Sequence, residues 1–146
     1  MRNANVLVLA AAVVLIAAAL LGAAFLRPPV VQQMPISESI TLSPAIPQAD
    51  DATQAYLRVQ VGSETLPLIP LTEGGEYTLT QKDGKTNVIH TTAQGAVMHF
   101  STCDNQNCIQ QGEVTLANRQ TRVMGTLVVC LPNEVLLELF SADEVQ

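Results

Sequence analysis

Tryptophan is absent from this 146-residue chain, which carries only three phenylalanines and two tyrosines. With so few aromatic faces, a stacking platform for sugars or unpaired bases is not expected. Positive charge is scarce too: seven Lys and Arg stand against thirteen Asp and Glu, a formal net charge of -6. Nucleic-acid binders neutralise phosphates with a basic footprint, and none exists here, so no nucleic-acid partner is expected. The one local basic cluster, Arg119 and Arg122 in NRQTR, reads as a solvated loop. Catalytic signatures are also missing. No G-x-S-x-G, H-E-x-x-H, phosphate loop, G-x-G-x-x-G or C-x-x-C occurs. No catalytic residue is assigned, no cofactor is expected, and a non-enzymatic role leads.

One long apolar run is present. Residues 6–26, VLVLAAAVVLIAAALLGAAFL, hold no charge. At about 1.5 Å per residue such a helix crosses a hydrocarbon core of about 30 Å. Residues 1–26 are therefore expected to anchor the chain in the lipid bilayer. The alternative is a cleaved signal peptide, for which Gly22 and Ala24 offer small residues. Arg2 and the free N-terminus flank one side and Arg27 the other. The positive-inside rule leans toward a cytoplasmic N-terminus, which makes this a single-pass protein of the cell membrane with an extracytoplasmic C-terminal domain. Residues 27–54 contain five of the eight prolines and no clear period, the text of an extended spacer.

From Tyr56 the pattern changes. In YLRVQV, Leu57, Val59 and Val61 alternate with Arg58 and Gln60, the period of a half-buried strand. ETLPLIPL follows, and Pro67 and Pro70 mark it as an edge or bulged strand. Asp83-Gly84 in KDGK predicts a type I′ hairpin pairing YTLTQ with TNVIHTT. AVMHFS, EVTLA, TLVVCL and EVLLELF are further strands, the last two joined by a turn at Pro132-Asn133. About seven short strands with turn residues between them predict an all-β barrel or sandwich over residues 55–141, with 142–146 a polar tail. A helix of one or two turns is expected in DNQNCIQQG, capped by Asp104 and ended by Gly112.

The three cysteines, Cys103, Cys108 and Cys130, crowd into the last third of the chain. Outside the reducing cytoplasm an odd count reads as one disulfide and one leftover thiol, a staple for a small core. If residues 103–108 are helical, Cys103 and Cys108 lie about 7.5 Å apart by rise. Bridged Cα atoms usually lie about 4.4–6.8 Å apart, so Cys130 then becomes the better partner. In an irregular loop, Cys103–Cys108 pairing is easy. A second reading joins the three cysteines with His99 in a tetrahedral metal site. His99, like His90, has the simpler explanation of a hydrogen-bonded strand histidine. A third reading, thiol exchange, lacks both C-x-x-C and a thioredoxin-like setting.

Taken in order, DGKTNVI with Asp83 and Gly84, CDNQNC, the glycine of IQQG (Gly112) and VVCLPNEVLLEL with Leu131, Pro132 and Asn133 form a fairly specific combination. Over about residues 55–140 the chain resembles the NusG domain II-like family of small membrane-anchored bacterial proteins. Many relatives carry a proline and a basic residue inside C-x4-C, where this chain has Asp104, Asn105, Gln106 and Asn107. The resemblance implies a small β-barrel-like domain and brings no catalytic residues. Fold kinship with a cytoplasmic transcription factor does not carry that factor's function. The functional expectation is an extracytoplasmic binding or accessory module for an envelope protein. The alternative is a redox or metal-handling part of an envelope electron-transfer system.

Overall fold

The computed structural model describes residues 34–35 and 39–145. The chain divides into two units, Met1–Val30 and Val31–Gln146, and the described residues belong to the second. Among them no helix is long and apolar enough to cross a membrane. The expected anchor at 1–26 lies outside the described residues.

The fold is all-β, built as two antiparallel sheets. Among the described residues eleven strands stand where about seven are expected: β1 (Met34–Pro35), β2 (Ile40–Ser43), β3 (Ala55–Val61), β4 (Glu64–Thr65), β5 (Ile69–Pro70), β6 (Gly75–Gln81), β7 (Thr86–Thr92), β8 (Gly95–Ser101), β9 (Val114–Thr115), β10 (Leu127–Cys130) and β11 (Val135–Ser141). The extra ones are two- to four-residue pieces, too short to show a hydrophobic period. One sheet runs β1-β2-β6-β7-β8-β9; the other runs β10-β11-β3-β4, with β5 also on β3. A single short helix, α1 (Asn107–Gln110), stands among the described residues with a 3-10 turn at Ala142–Glu144.

The alternation read from the sequence determines which faces are buried. Leu57, Val59 and Val61 of β3 and Val135, Leu137 and Leu139 of β11 all point inward. Their register sets Leu57 opposite Leu139 and Val59 opposite Leu137. On the outer face of the same pair, Arg58 bonds Glu138 at 3.1 Å and lies 4.3 Å over the Phe140 ring. Leu42, Leu79, Ile89 and Met98 of the other sheet enter the same core. Each such side chain contributes about 1.5–3 kcal/mol by leaving water.

Two expectations are corrected. The spacer assigned to 27–54 contains β2, which pairs with β6 and buries Ile40 and Leu42, so the domain begins before residue 55. The Asp83-Gly84 hairpin is not type I′, because Asp83 does not take positive φ. The Gly84 amide donates to Gln81 O, and the Gln81 amide donates to Lys85 O, both at 2.9 Å. That makes a three-residue loop with Gly84 at φ 87°, the arrangement of a type I turn closed by a left-handed glycine. In the polar segment after β11, Ser141 and Glu144 form a capping box, and Glu144 pairs with Arg119.

Gly95 marks the closest approach between strands β8 and β9. A Cβ there would meet Val114 O at 2.5 Å and Thr115 Cγ2 at 2.8 Å, so backbone must move. Gly95→Ala is expected to lower the unfolding free energy by about 1–3 kcal/mol, the usual cost of overpacking. Equilibrium denaturation checks this, and an unchanged midpoint refutes it.

Candidate functional site

The C-x4-C segment is not one helix. Strand β8 ends at Ser101, and helix α1 begins only at Asn107. Between them Gln106 adopts a left-handed conformation, φ 53° and ψ 15°, which folds the loop back. Asp104 does not cap the helix; Asn105 Oδ1 accepts the Asn107 N–H at 3.1 Å. The Gln106 side-chain amide donates to Ser101 O at 2.9 Å and to Cys103 O. Gly112, at φ 69°, terminates the helical stretch as expected of a glycine, its N–H donating to Ile109 O at 3.2 Å.

The reversal brings Cys103 Sγ to 3.6 Å from Cys108 Sγ. Cys130, the last residue of β10, arrives from the other sheet, and all three sulfurs lie within 4.8 Å of one another. All three are buried free thiols. The expected disulfide is therefore not formed, since 3.6 Å far exceeds the roughly 2.05 Å of an S–S bond. The rise-based separation fails because the segment turns back at Gln106. His99 is not part of the cluster. Its exposed ring stacks on His90 at 3.7 Å and 12°, and His90 Nε2 sits 2.7 Å from Glu76 Oε2. The strand period explains this: Met98 faces inward, so His99 faces out.

A buried polar network supports the thiols. Asn87 Nδ2, Asn133 Nδ2 and the Cys103 amide donate to Ser101 Oγ at 3.0, 3.1 and 3.1 Å. With its oxygen so occupied, the Ser101 hydroxyl proton is directed at Cys130 Sγ, 3.4 Å away. Asn133, in the turn between β10 and β11, also donates to Asn87 Oδ1 at 2.9 Å, while its carbonyl accepts from Gln81 Nε2 at 2.7 Å. Two further ties fix the loop against β10. The Gln111 side chain exchanges both amide bonds with Val129, at 2.7 and 2.8 Å, and so pairs the open edge of β10. The Arg122 guanidinium donates to four carbonyls, those of Gln111, Gly112, Gly125 and Leu127. Sequence reading placed Arg122 in a solvated loop and missed Gln111. Arg122 meets Gly125 and Leu127 within its own segment, but its bonds to Gln111 and Gly112, and those of Gln111 to Val129, are set by the fold.

The family model described as NusG domain II matches residues 9–143. The chain belongs to that family. Among solved structures it is similar to a DUF1312 family protein from Enterococcus faecalis V583, with TM-score 0.52 and 16% identity over 61% of this chain and 99% of that one. It is similar also to the Lin0431 protein from Listeria innocua, with TM-score 0.50 and 20% identity over 61% and 98%. At these identities the likeness shows the fold alone. No functionally curated protein matches.

Within this NusG domain II fold the cysteines are electrostatically unequal. Burial pushes the Cys108 thiol up to about 12, and hydrogen bonds with Cys130 and Cys103 add to the rise. Burial raises Cys130 as well, but the bonds from Ser101, the Asn133 backbone and Cys108 outweigh it and hold that thiol below its ordinary value. Of these two, the arrangement favours the thiolate on Cys130 over one on Cys108.

Two clefts adjoin the cluster. One, about 330 Å³, is lined by Asn105, Cys108, Gln111, Met124, Cys130 and Pro132 among others. The second, about 390 Å³, includes Gln60, Val129, Cys130, Glu134 and Leu136. Leu131 borders both and is 80% exposed. Asp83 lines a separate cleft with Val61, Gly62 and Glu134.

Proposed function

We propose that this NusG domain II chain is a membrane-anchored, non-enzymatic accessory module whose β domain faces outward and binds an envelope protein. The uncharged run at 6–26 supports the anchor through its length. The single-charge bias of its flanks supports the orientation. The observation that carries the partner reading is Leu131, an exposed apolar side chain on the ridge between two clefts. Val123 and Met124 add exposed apolar surface, Met124 in the wall of the first cleft. Glu134 lines the second cleft, and residues 51–146 hold eleven Asp or Glu against five Lys or Arg. The occupant is a protein segment presenting an apolar side chain beside a basic one.

The test places a photo-crosslinking residue at position 131 of the full-length chain in intact cells, with position 76 as control. One discrete envelope protein is expected from 131 and not from 76. Leu131→Asp is expected to weaken that complex about 10-fold or more, as loss of an apolar anchor does. Equal crosslinking from both positions refutes the partner surface. Protection of the β domain from protease added outside intact cells refutes the outward orientation.

A further inference from the structure

The three-cysteine cluster has features that a merely packed set of thiols does not need. Its sulfurs converge from three elements, the loop after β8, helix α1 and the end of β10, to within 4.8 Å of one another. A metal–sulfur bond of about 2.3 Å sets the sulfurs of a three-coordinate ion about 4.0 Å apart. The 3.6 Å between Cys103 and Cys108 is within a few tenths of that, and the other sulfur separations do not exceed 4.8 Å.

The donor set also selects the ion. Among the described residues the cluster holds three sulfurs and no histidine or carboxylate. Zinc sites are nearly always four-coordinate, and the expected fourth ligand, His99, is stacked on His90 instead. A soft thioether also borders the approach: Met124 lines the cleft that reaches Cys108 and Cys130. Three thiols with a thioether at the approach is the chemistry of Cu(I). An outer shell is already built, with Ser101 Oγ 3.4 Å from Cys130 Sγ and Gln106 Nε2 3.9 Å from Cys103 Sγ. The cleft supplies the entry path.

We propose that Cys103, Cys108 and Cys130 form a binding site for one cuprous ion, held by three sulfur ligands, with Met124 lining its approach. On binding, the ligating thiols release their protons to solvent and the copper stays Cu(I), so no electron is transferred. The site shares the cleft wall at Met124 with the partner surface at Leu131, but copper binding and crosslinking from position 131 are read separately, so the two readings fail separately.

The test uses the full-length chain in detergent, reduced and kept anaerobic, titrated with Cu(I) against bicinchoninate as chromogenic competitor. One equivalent per chain is expected, and copper-edge X-ray absorption should show three sulfurs at about 2.3 Å. Cys103→Ser, Cys108→Ser and Cys130→Ser should each cost more than the roughly 10–100-fold lost with an outer-shell partner. Because a serine variant can unfold the loop, the wild-type stoichiometry and sulfur shell stand as measurements that need no variant. Zn(II) added in parallel should fail to displace Cu(I). Binding no tighter than that of the triple-serine variant overturns the proposal. So does a nitrogen- or oxygen-dominated shell, displacement by Zn(II), or a thiol count of one per chain that mild reductant does not raise.

Discussion

Replacing Asn133 by alanine is expected to lower the unfolding free energy by about 2–4 kcal/mol. Asn133 is 2% exposed, and its side-chain amide reaches Asn87 Oδ1, Ser101 Oγ and Thr102 Oγ1 at 2.9, 3.1 and 3.3 Å. Among the described residues it supplies the donor to Asn87 Oδ1, which is buried. Truncation strands that oxygen away from water, and an unsatisfied buried acceptor costs about 1–3 kcal/mol by itself. The void left behind adds to this. Asn133→Asp should be at least as damaging, since it sets a carboxylate oxygen against Asn87 Oδ1 while removing both donors. Denaturant melts followed by circular dichroism decide the matter. A loss under about 0.5 kcal/mol shows that the network is dispensable.

Leu42→Ala is expected to cost about 2–5 kcal/mol, the range for a leucine removed from a packed core. Leu42 is fully buried and faces Leu79 across the β2–β6 register. This substitution separates two views of residues 27–54. In a tether that only lifts the domain from the bilayer, a leucine-to-alanine change stays within about 0.5 kcal/mol. In a domain whose sheet includes β2, the loss is that of a core residue. Thr41→Ala, on the half-buried face of β2, is the internal control and should cost far less.

Several elements were legible before any coordinates. The alternation in YLRVQV and EVLLELF predicts strands with defined buried faces, and β3 and β11 bury those faces. Their signal is strong because both strands are seven residues long and half-covered, so every second position reports burial. Strand β2 was hidden for the opposite reason. ITLS offers two apolar positions amid prolines, and its pairing with Thr78–Gln81 is nearly forty residues distant. The loop within C-x4-C was hidden as well, because Asn105 and Gln106 satisfy helix-like and turn-like backbones equally well in text. Only the carbonyls presented by Ser101 and Cys103 select the left-handed Gln106.

By itself the sequence determined the class of fold, the hydrophobic faces and the position of the β6–β7 hairpin. These depend on local period and turn chemistry, which each stretch carries alone. Tertiary structure alone decided that Cys103, Cys108 and Cys130 meet as free thiols, that His99 stays apart, and that Arg122, Gln111 and Asn133 lock the loop. Those outcomes depend on contacts between elements distant in the chain, with chain-closure entropy offset by burial and hydrogen bonds that exist only after both sheets have formed.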